Sequence, residues 1–371
     1  MKIFFPLQVF YPSQAGGPAN SVYWLTKYLK RTGIQPIVVA TNQGVGDGLE
    51  LNRWNESEAG RVMHVRTRIV YFPLTQTLIS LRCVLAADAV QVSSVFFPTA
   101  AMSALLARIL GKKLVVSPRD ELAPYGLARS AARKRPILWL CRYFLAKYAT
   151  FHATAEKEVV DIKNYFGDGV RVVHIPNLIE MPDLLERSID GYFLFIGRID
   201  RKKGIDNLIR ALSLSSKFLA SNIILKIAGG GAAEYVSELK QLVSTSAIEQ
   251  RVEFVGQIEG EAKQQLFANA SWTFMPSISE NFGVVVLESL AQKTPVVAST
   301  GSPWSMLEDK KVGFWIDNSP ESLAAKIDDL IQMPANEYQG YRDRSRQFVE
   351  DHFEINKSGG KWLELYKSLG D

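Results

Sequence analysis

The chain is poor in the residues that build metal centres and disulfide frameworks. Its 371 residues hold two cysteines, Cys83 and Cys141, and four scattered histidines, His64, His152, His174 and His352. Two isolated thiols give neither a metal-ligand spacing nor a disulfide framework, so both are expected to be reduced, as in a cytoplasmic enzyme. Each histidine follows or ends an apolar run and is expected to be a satisfied core or edge residue. No metal cluster, catalytic cysteine or Ser-His-Asp order emerges, and there is no Asp-x-Asp triplet to hold a divalent metal. Apolar residues make up 47% of the chain, yet no run reaches the roughly 20 that span a membrane. The apolar stretch Met1–Phe10 is short, contains Pro6 and lacks a small-residue cleavage site, which predicts a first strand and not a signal peptide. Internal repeats and low-complexity tracts are absent. No nucleic-acid-binding motif accompanies the positive charge, so nucleic acid is not expected as a partner.

What is present suits two α/β domains of ordinary size. The net charge of +5 divides unevenly: residues 1–180 carry 22 Lys and Arg against 12 Asp and Glu, and residues 181–371 carry 21 against 26. Positive charge peaks at Arg129, Arg133, Lys134, Arg135, Arg142 and Lys147, with Trp139, Tyr143 and Phe144 interleaved and no acid between Leu122 and Ala155. Two readings fit this segment: a core-packed helix with one solvated basic face, or a helix that lies on an anionic membrane surface.

Short apolar runs alternate with helical stretches along the chain. Strands are expected at residues 2–10, 36–40, 89–93, 113–117, 150–153 and 170–175, then at 192–196, 223–228, 252–255, 272–275 and 295–298. A helix from about Asn20 to Arg31 follows the first loop, and residues 42–60, polar and rich in glycine, predict a long loop. Alternating strands and helices imply parallel sheets covered on both faces. Pro176, Pro182 and Gly191 punctuate a change of character and mark the domain boundary. Helices close the chain at 336–353 and 357–369; in the last, Trp362, Leu365, Tyr366 and Leu369 form one apolar stripe.

Ser277-Ile-Ser-Glu-Asn-Phe-Gly-Val-Val-Val-Leu-Glu288 carries the most chemistry. It lies between a strand ending at Pro276 and the strand Pro295–Ala298, at the strand-to-helix edge where α/β sheets bind ligands. A helix starting near Asn281 would point free N–H groups and its dipole at an anion such as a diphosphate. Gly283 lets a ligand approach the backbone. Glu280, in the loop, can reach a neutral polar group of that ligand, and Glu288, in the helix, can accept from the two hydroxyls of a ribose. The plainer alternative makes Glu280 a helix cap and Glu288 a solvated side chain.

The segment strongly resembles the Glu-x7-Glu motif of retaining glycosyltransferases of family four, which have the GT-B fold. The resemblance continues through Phe193-Leu-Phe-Ile-Gly-Arg-Ile-Asp-Arg-Lys-Lys-Gly-Ile-Asp206, Ile227-Ala-Gly-Gly-Gly231, Val252-Glu-Phe-Val-Gly256, Thr294-Pro-Val-Val-Ala298 and Gly301-Ser-Pro-Trp304. The last, with Gly313-Phe-Trp-Ile316, resembles a subgroup that builds bacterial cell-surface polysaccharides, lipopolysaccharide among them. The resemblance implies an α/β protein of two Rossmann-like domains around a central cleft: residues 1–181 for the acceptor, 182–355 for the nucleotide-sugar donor, and 356–371 as a helix crossing back to the first domain. It implies retaining, metal-independent transfer of a sugar from a nucleotide-diphosphate sugar to a glycan or lipid-linked glycan, with no cofactor, in the cytoplasm or on the inner face of its membrane. A non-catalytic sugar-nucleotide-binding partner, or another GT-B enzyme such as an epimerase, stays open beside it.

Carried over residue by residue, the resemblance implies that Arg198 and Lys203 contact the donor diphosphate, whose charge grows as the sugar–phosphate bond breaks. Val255, Gly256 and Gln257 pack against the base through backbone groups, Ser277 and Glu280 contact the sugar, and Asn281, Phe282, Gly283 and Val284 flank the phosphate or sugar with backbone N–H groups. Glu288 holds the ribose. Gly16 and Gly17 sit in the first strand-to-helix loop, where glycine lets the backbone approach the donor. Gly229, Gly230 and Gly231 read either as a phosphate loop or as a structural turn. Two departures stand out. Arg119 follows Lys113–Pro118 where the family often has histidine; it reads as a cation for the acceptor or donor, or as the partner of Asp120 or Glu121. Lys293 stands where the family often has glycine.

Overall fold

The computed structural model describes residues 1–371 apart from 14–16, 47, 129–130, 188–190 and 370–371. The chain divides into two units, residues 1–180 with 355–371, and residues 181–354.

Unit 1 is built on β1 (Lys2–Leu7), β2 (Gln35–Thr41), β3 (Asn55–Ser57), β4 (Gly60–Val65), β5 (Ala89–Val92), β6 (Lys113–Val116), β7 (Thr150–Ala153) and β8 (Arg171–His174). They form one sheet in the order β3-β4-β2-β1-β5-β6-β7-β8. Ile3, Phe4, Phe5, Val38, Val39, Val90 and Val115 are fully buried. Such two-sided burial explains continuous apolar runs without alternation. Only β3 is antiparallel, in a hairpin with β4. This hairpin lies where the sequence predicted the end of a loop and nothing beyond it. Its polar Asn-Glu-Ser, the charged Arg61 and the polar His64 hide the signal; β4 extends the sheet through parallel pairing with β2.

The closing segment belongs to unit 1. Ile355 N–H donates to Ile179 O at 2.9 Å. In the helix Gly360–Ser368, Trp362, Leu365 and Tyr366 are buried, which is the inner part of the expected stripe. Trp362 lies 4.5 Å from the His152 ring, and the Tyr366 hydroxyl donates to Gln91 Oε1.

Unit 2 is built on β9 (Phe193–Ile196), β10 (Leu225–Ala228), β11 (Val252–Gly256), β12 (Trp272–Met275), β13 (Val296–Ser299) and β14 (Gly313–Ile316). Its sheet has the order β11-β10-β9-β12-β13-β14, with every pair parallel. The sequence marks β14 only as a motif; Gly313 lets it lie against Val296, whose carbonyl oxygen a Cβ there would meet at 2.1 Å. The chain runs outward from β9 to β11, then returns and runs outward the other way from β12 to β14. The reversal falls between β9 and β12, and ligands of open α/β sheets bind beyond the carboxyl ends of the strands at such a point.

Candidate functional site

Two loops leave the reversal of unit 2. The first follows β9 through Gly197, Arg198 and Ile199. Asp200 then caps a short turn, accepting from Lys202 N–H at 3.0 Å. The second follows β12 through Pro276, Ser277 and Glu280. Ile278 N–H donates to Lys202 O at 2.8 Å and ties the two loops together. Glu280 N–H donates to Gly301 O at 2.9 Å, which anchors the second loop to the end of β13.

Lys203 and Glu280 meet across this junction. The Lys203 ammonium donates to Glu280 Oε2, and the pair is largely withdrawn from water. Ser277 Oγ donates to the same oxygen at 3.1 Å. Burial alone would raise the Glu280 pKa. The Lys203 charge and hydrogen bond, Lys202 and Ser277 outweigh it and hold the carboxyl below its ordinary value. Glu280 is therefore an ionised acceptor, and the helix-cap alternative does not describe it.

The helix expected from Asn281 begins instead at Val284, with Gly283 as its cap at φ 78°. Gly283 has a steric reason beyond that φ, since a Cβ would lie 2.5 Å from the Met275 sulfur. The start is delayed because Phe282 is drawn aside. The Trp304 indole N–H donates to Phe282 O, and the Phe282 ring packs on Trp304 at 5.0 Å and on Phe353 at 6.1 Å. The Gly-Ser-Pro-Trp motif thus braces the loop. The N–H groups of the first turn, Val284 among them, stand where a helix has no acceptor of its own. Asn281 is half-buried beside them.

Glu288 lies on the buried side of the helix Val284–Ala291, 7% exposed, so it is not a solvated carboxylate. Its Oε1 accepts from Lys263 Nζ at 2.7 Å. Lys263 comes from the neighbouring helix Gly260–Asn269. Sequence reading missed it, because no local spacing connects a lysine 25 positions upstream to the Glu-x7-Glu motif.

Arg198 is exposed and makes no ion pair among the described residues. Lys203 has Glu280, and the adjacent Arg201 pairs with Glu238 at 2.6 Å. At the end of β10, Gly229 is structural: at φ 138° its Cβ would lie 1.8 Å from Gly197 O, and its N–H donates to Gly256 O at 2.7 Å. The turn reading holds for this glycine. Gly256 thereby closes a row of strand ends with its carbonyl engaged, and the Gln257 amide donates to Glu259 at 3.1 Å.

In unit 1, Gly16 lies outside the described residues, and Gly17 opens the helix Gly17–Arg31. Arg119 and Asp120 both take the left-handed conformation, at φ 52° and 70°. Arg119 does not pair with Glu121, which accepts from Ser94 Oγ and Val95 N–H, both at 2.6 Å. Instead its Nη1 reaches Ser21 Oγ and Asn177 Oδ1, each at 3.3 Å, and its buried Nε has no partner among the described residues. Burial lowers its pKa, opposed by Glu158 and Tyr366, but a guanidinium keeps its charge. Behind it, buried His152 bonds Ser117 Oγ at 2.9 Å and Ile175 O at 2.8 Å. Its pKa falls to about 3, chiefly through burial and then through Arg119. The ring is neutral, so Nε2–H donates to Ile175 O and Nδ1 accepts from Ser117, the satisfied core histidine that the sequence suggested.

Two open sheets, the first parallel but for β3 and the second wholly parallel, with interlocked charged loops at the strand-order reversal of the second, define a double Rossmann-like α/β protein with a candidate anion and polyol site in unit 2. Residues 179–348 match the family model described as glycosyl transferases group 1, and residues 16–178 match the glycosyl transferase 4-like domain. Each part of the chain thus matches a glycosyltransferase family model, and the fold is that of GT-B glycosyltransferases. The chain is similar to an uncharacterized glycosyltransferase of Methanocaldococcus jannaschii, 30% identical over 210 residues that are 52% of this chain and 53% of the relative. It is also similar to a D-inositol 3-phosphate glycosyltransferase of Streptomyces avermitilis, 31% identical over 38% of this chain and 32% of that one. The chain thus spans about half the length of these curated relatives or less. Among solved structures, Anabaena HepE in complex with UDP and glucose superposes with a TM-score of 0.79 at 19% identity, covering 99% of this chain and 100% of HepE. WaaG, a glycosyltransferase involved in lipopolysaccharide biosynthesis, gives 0.71 at 15% identity over 97% and 98% of the two chains. These two likenesses concern the fold.

Proposed function

We propose that the chain moves a sugar, with retention of anomeric configuration, from a nucleotide-diphosphate sugar to a glycan or lipid-linked glycan of the cell surface. The observation that carries this reading is the meeting of Lys203 and Glu280 at the reversal point of unit 2, on the loop that also carries Arg198, exposed and without an ion pair among the described residues. A diphosphate binds Arg198 and Lys203, and Glu280, released from Lys203, accepts from a hydroxyl of the transferred sugar. As the sugar–phosphate bond breaks, the two cations stabilise the charge gathering on the diphosphate. The acceptor hydroxyl attacks the anomeric carbon on the same face and gives its proton to the departing phosphate oxygen. Glu288 holds the ribose, and the Gly256–Gln257 turn holds the base. Cations do the work that a metal ion does elsewhere, so transfer proceeds without one and without a cofactor. The basic segment Arg129–Lys147 lies on an anionic membrane, and the enzyme works there from the cytoplasmic side. No helix among the described residues is long and apolar enough to cross a membrane.

A thermal-shift series with UDP, GDP, ADP and their sugars tests the donor site, because a ligand of the folded state raises the melting temperature. UDP comes first because HepE holds it. The expected result is a shift with one base, followed by slow hydrolysis of the matching nucleotide sugar that survives excess EDTA. No shift with any nucleotide would overturn the donor site. Turnover lost to EDTA and restored by Mn²⁺ would overturn metal independence.

A further inference from the structure

Three helices of unit 1 share an unusual outer face. They are Leu74–Ala86, Pro98–Ile109 and Ala131–Leu145. The first packs on the second and the second on the third. Their inner sides, Val84, Ala104 and Leu138 among them, enter one hydrophobic core. None of the three contains an Asp or Glu. From Ala59 to Ala155 the chain has fourteen Lys and Arg but only three acids, Asp88, Asp120 and Glu121, and Glu121 is turned inward onto Ser94 and Val95.

The outer sides carry large apolar groups in the open. Leu78 is 63% exposed, Leu85 58%, Ile109 70%, Trp139 68% and Tyr143 72%. In unit 2 the exposed large apolar side chains among the described residues are Leu184, Leu214, Leu219, Ile278 and Met306, scattered along the chain. Cations interleave with the apolar groups at helical spacing. Leu78, Arg82 and Leu85 lie at i, i+4 and i+7; Arg135, Trp139, Arg142 and Tyr143 lie at i, i+4, i+7 and i+8. Trp139 and Tyr143 stack at 6.2 Å with both rings exposed. Soluble proteins rarely leave such a surface uncovered. A second copy seated face to face would set arginine against arginine. Anionic lipid headgroups over acyl chains match both components.

We infer that all three helices, and not the Ala131–Leu145 helix alone, form one docking face for an anionic lipid surface. The inference rests on the peripheral-membrane reading above and names the contact through which it works. The test is co-sedimentation of the full chain at low salt with phosphatidylcholine vesicles and with equimolar phosphatidylcholine–phosphatidylglycerol vesicles, beside a melting curve for each variant. The expected result is binding to the mixed vesicles only. Arg135→Gln and Arg142→Gln each weaken it ~5-fold, the equivalent of about 1 kcal/mol per cation. Leu78→Ser combined with Ile109→Ser, both on the other two helices, weakens it by ~10-fold through lost apolar burial. If only the arginine variants lose binding, the three-helix face is overturned and the single-helix reading stands. Equal binding to both vesicles, or none to either, overturns both.

Discussion

Glu280 and Glu288 both meet a lysine, yet the two pairs are built differently. Lys203 and Glu280 are joined across two loops at the strand-order reversal, with Ser277 on the same carboxylate oxygen. Lys263 and Glu288 bridge two helices through one 2.7 Å contact. Loops at a sheet edge can rearrange around a ligand, whereas packed helices hold a side chain in register. The first pair is therefore suited to exchanging its internal partner for sugar and diphosphate, and the second to presenting a fixed acceptor. Arg119 in unit 1 is the counter-example. It is a half-buried cation with two long polar contacts and, among the described residues, no carboxylate and no partner for its buried Nε. Unsatisfied buried donors are rare, so it is the group with most to gain from a ligand.

Breaking the loop pair should have the largest effect. Glu280→Ala is expected to lower kcat by ~10²–10³-fold, the scale of one lost electrostatic stabiliser, in a steady-state assay with the nucleotide sugar. Arg119→Ala should follow at ~10²-fold, with Arg119→Lys recovering only part of it because a lysine cannot supply the guanidinium fork. A melting curve beside the kinetics separates lost chemistry from lost folding, and unchanged turnover would make Arg119 structural.

The helix pair sharpens the comparison on a smaller scale. Lys263→Met should weaken nucleoside diphosphate binding ~10-fold with kcat nearly kept, the cost of loosening a support behind a binding group. Lys263→Arg should restore it. In a Glu288→Gln background the Lys263→Met change should add little, since residues that act as a unit do not add. Full additivity would mean that the lysine acts elsewhere.

Acid titration of stability separates the pairs again. Glu280 has a lowered folded pKa, so it contributes stability above its ordinary value of 4.5, and that contribution is lost as pH falls through the folded value. Lys203→Met removes the cation and leaves burial to dominate. The variant should lose ~2 kcal/mol at neutral pH, a buried pair's cost discounted for partial exposure. It should also lose less than the parent on acidification below 4.5. Parallel denaturation curves at both pH values would contradict this.

The smallest effect belongs to Lys293. It sits at φ 59° just after the helix Val284–Ala291, with its N–H on Leu290 O and the Thr294 N–H on Ser289 O. A glycine there avoids the left-handed strain, so Lys293→Gly should stabilise by ~1 kcal/mol in chemical denaturation. A cation is favourable near a helix C-terminus, but the backbone at Lys293 asks for glycine.

Much of this was legible in the residues. Apolar runs such as Phe193–Ile196 mark strands because parallel strands are buried on both faces, and Pro276 marks the end of β12. Glu280 and Glu288 could be set in loop and helix from the run between them. What could not be read depends on contacts distant in sequence. Lys263 reaches Glu288 only once two helices pack. Phe282 stays outside the helix because Trp304, 22 positions on, holds its carbonyl. The hairpin of β3 and β4 has polar or charged residues where a strand signal would be sought. Arg119 has two acids directly after it in sequence, yet backbone turns at positive φ send Glu121 to Ser94 and leave the guanidinium with Ser21 and Asn177.

The division of labour between the two carboxylates is tested most directly by calorimetric titration of Glu280→Ala and Glu288→Ala with the nucleoside diphosphate that gives the largest thermal shift. The account predicts near-parental affinity for Glu280→Ala, which loses a sugar contact, and affinity weakened at least ~10-fold for Glu288→Ala, which loses the ribose acceptor. Equal losses in the two variants, or a larger loss for Glu280→Ala, would contradict it.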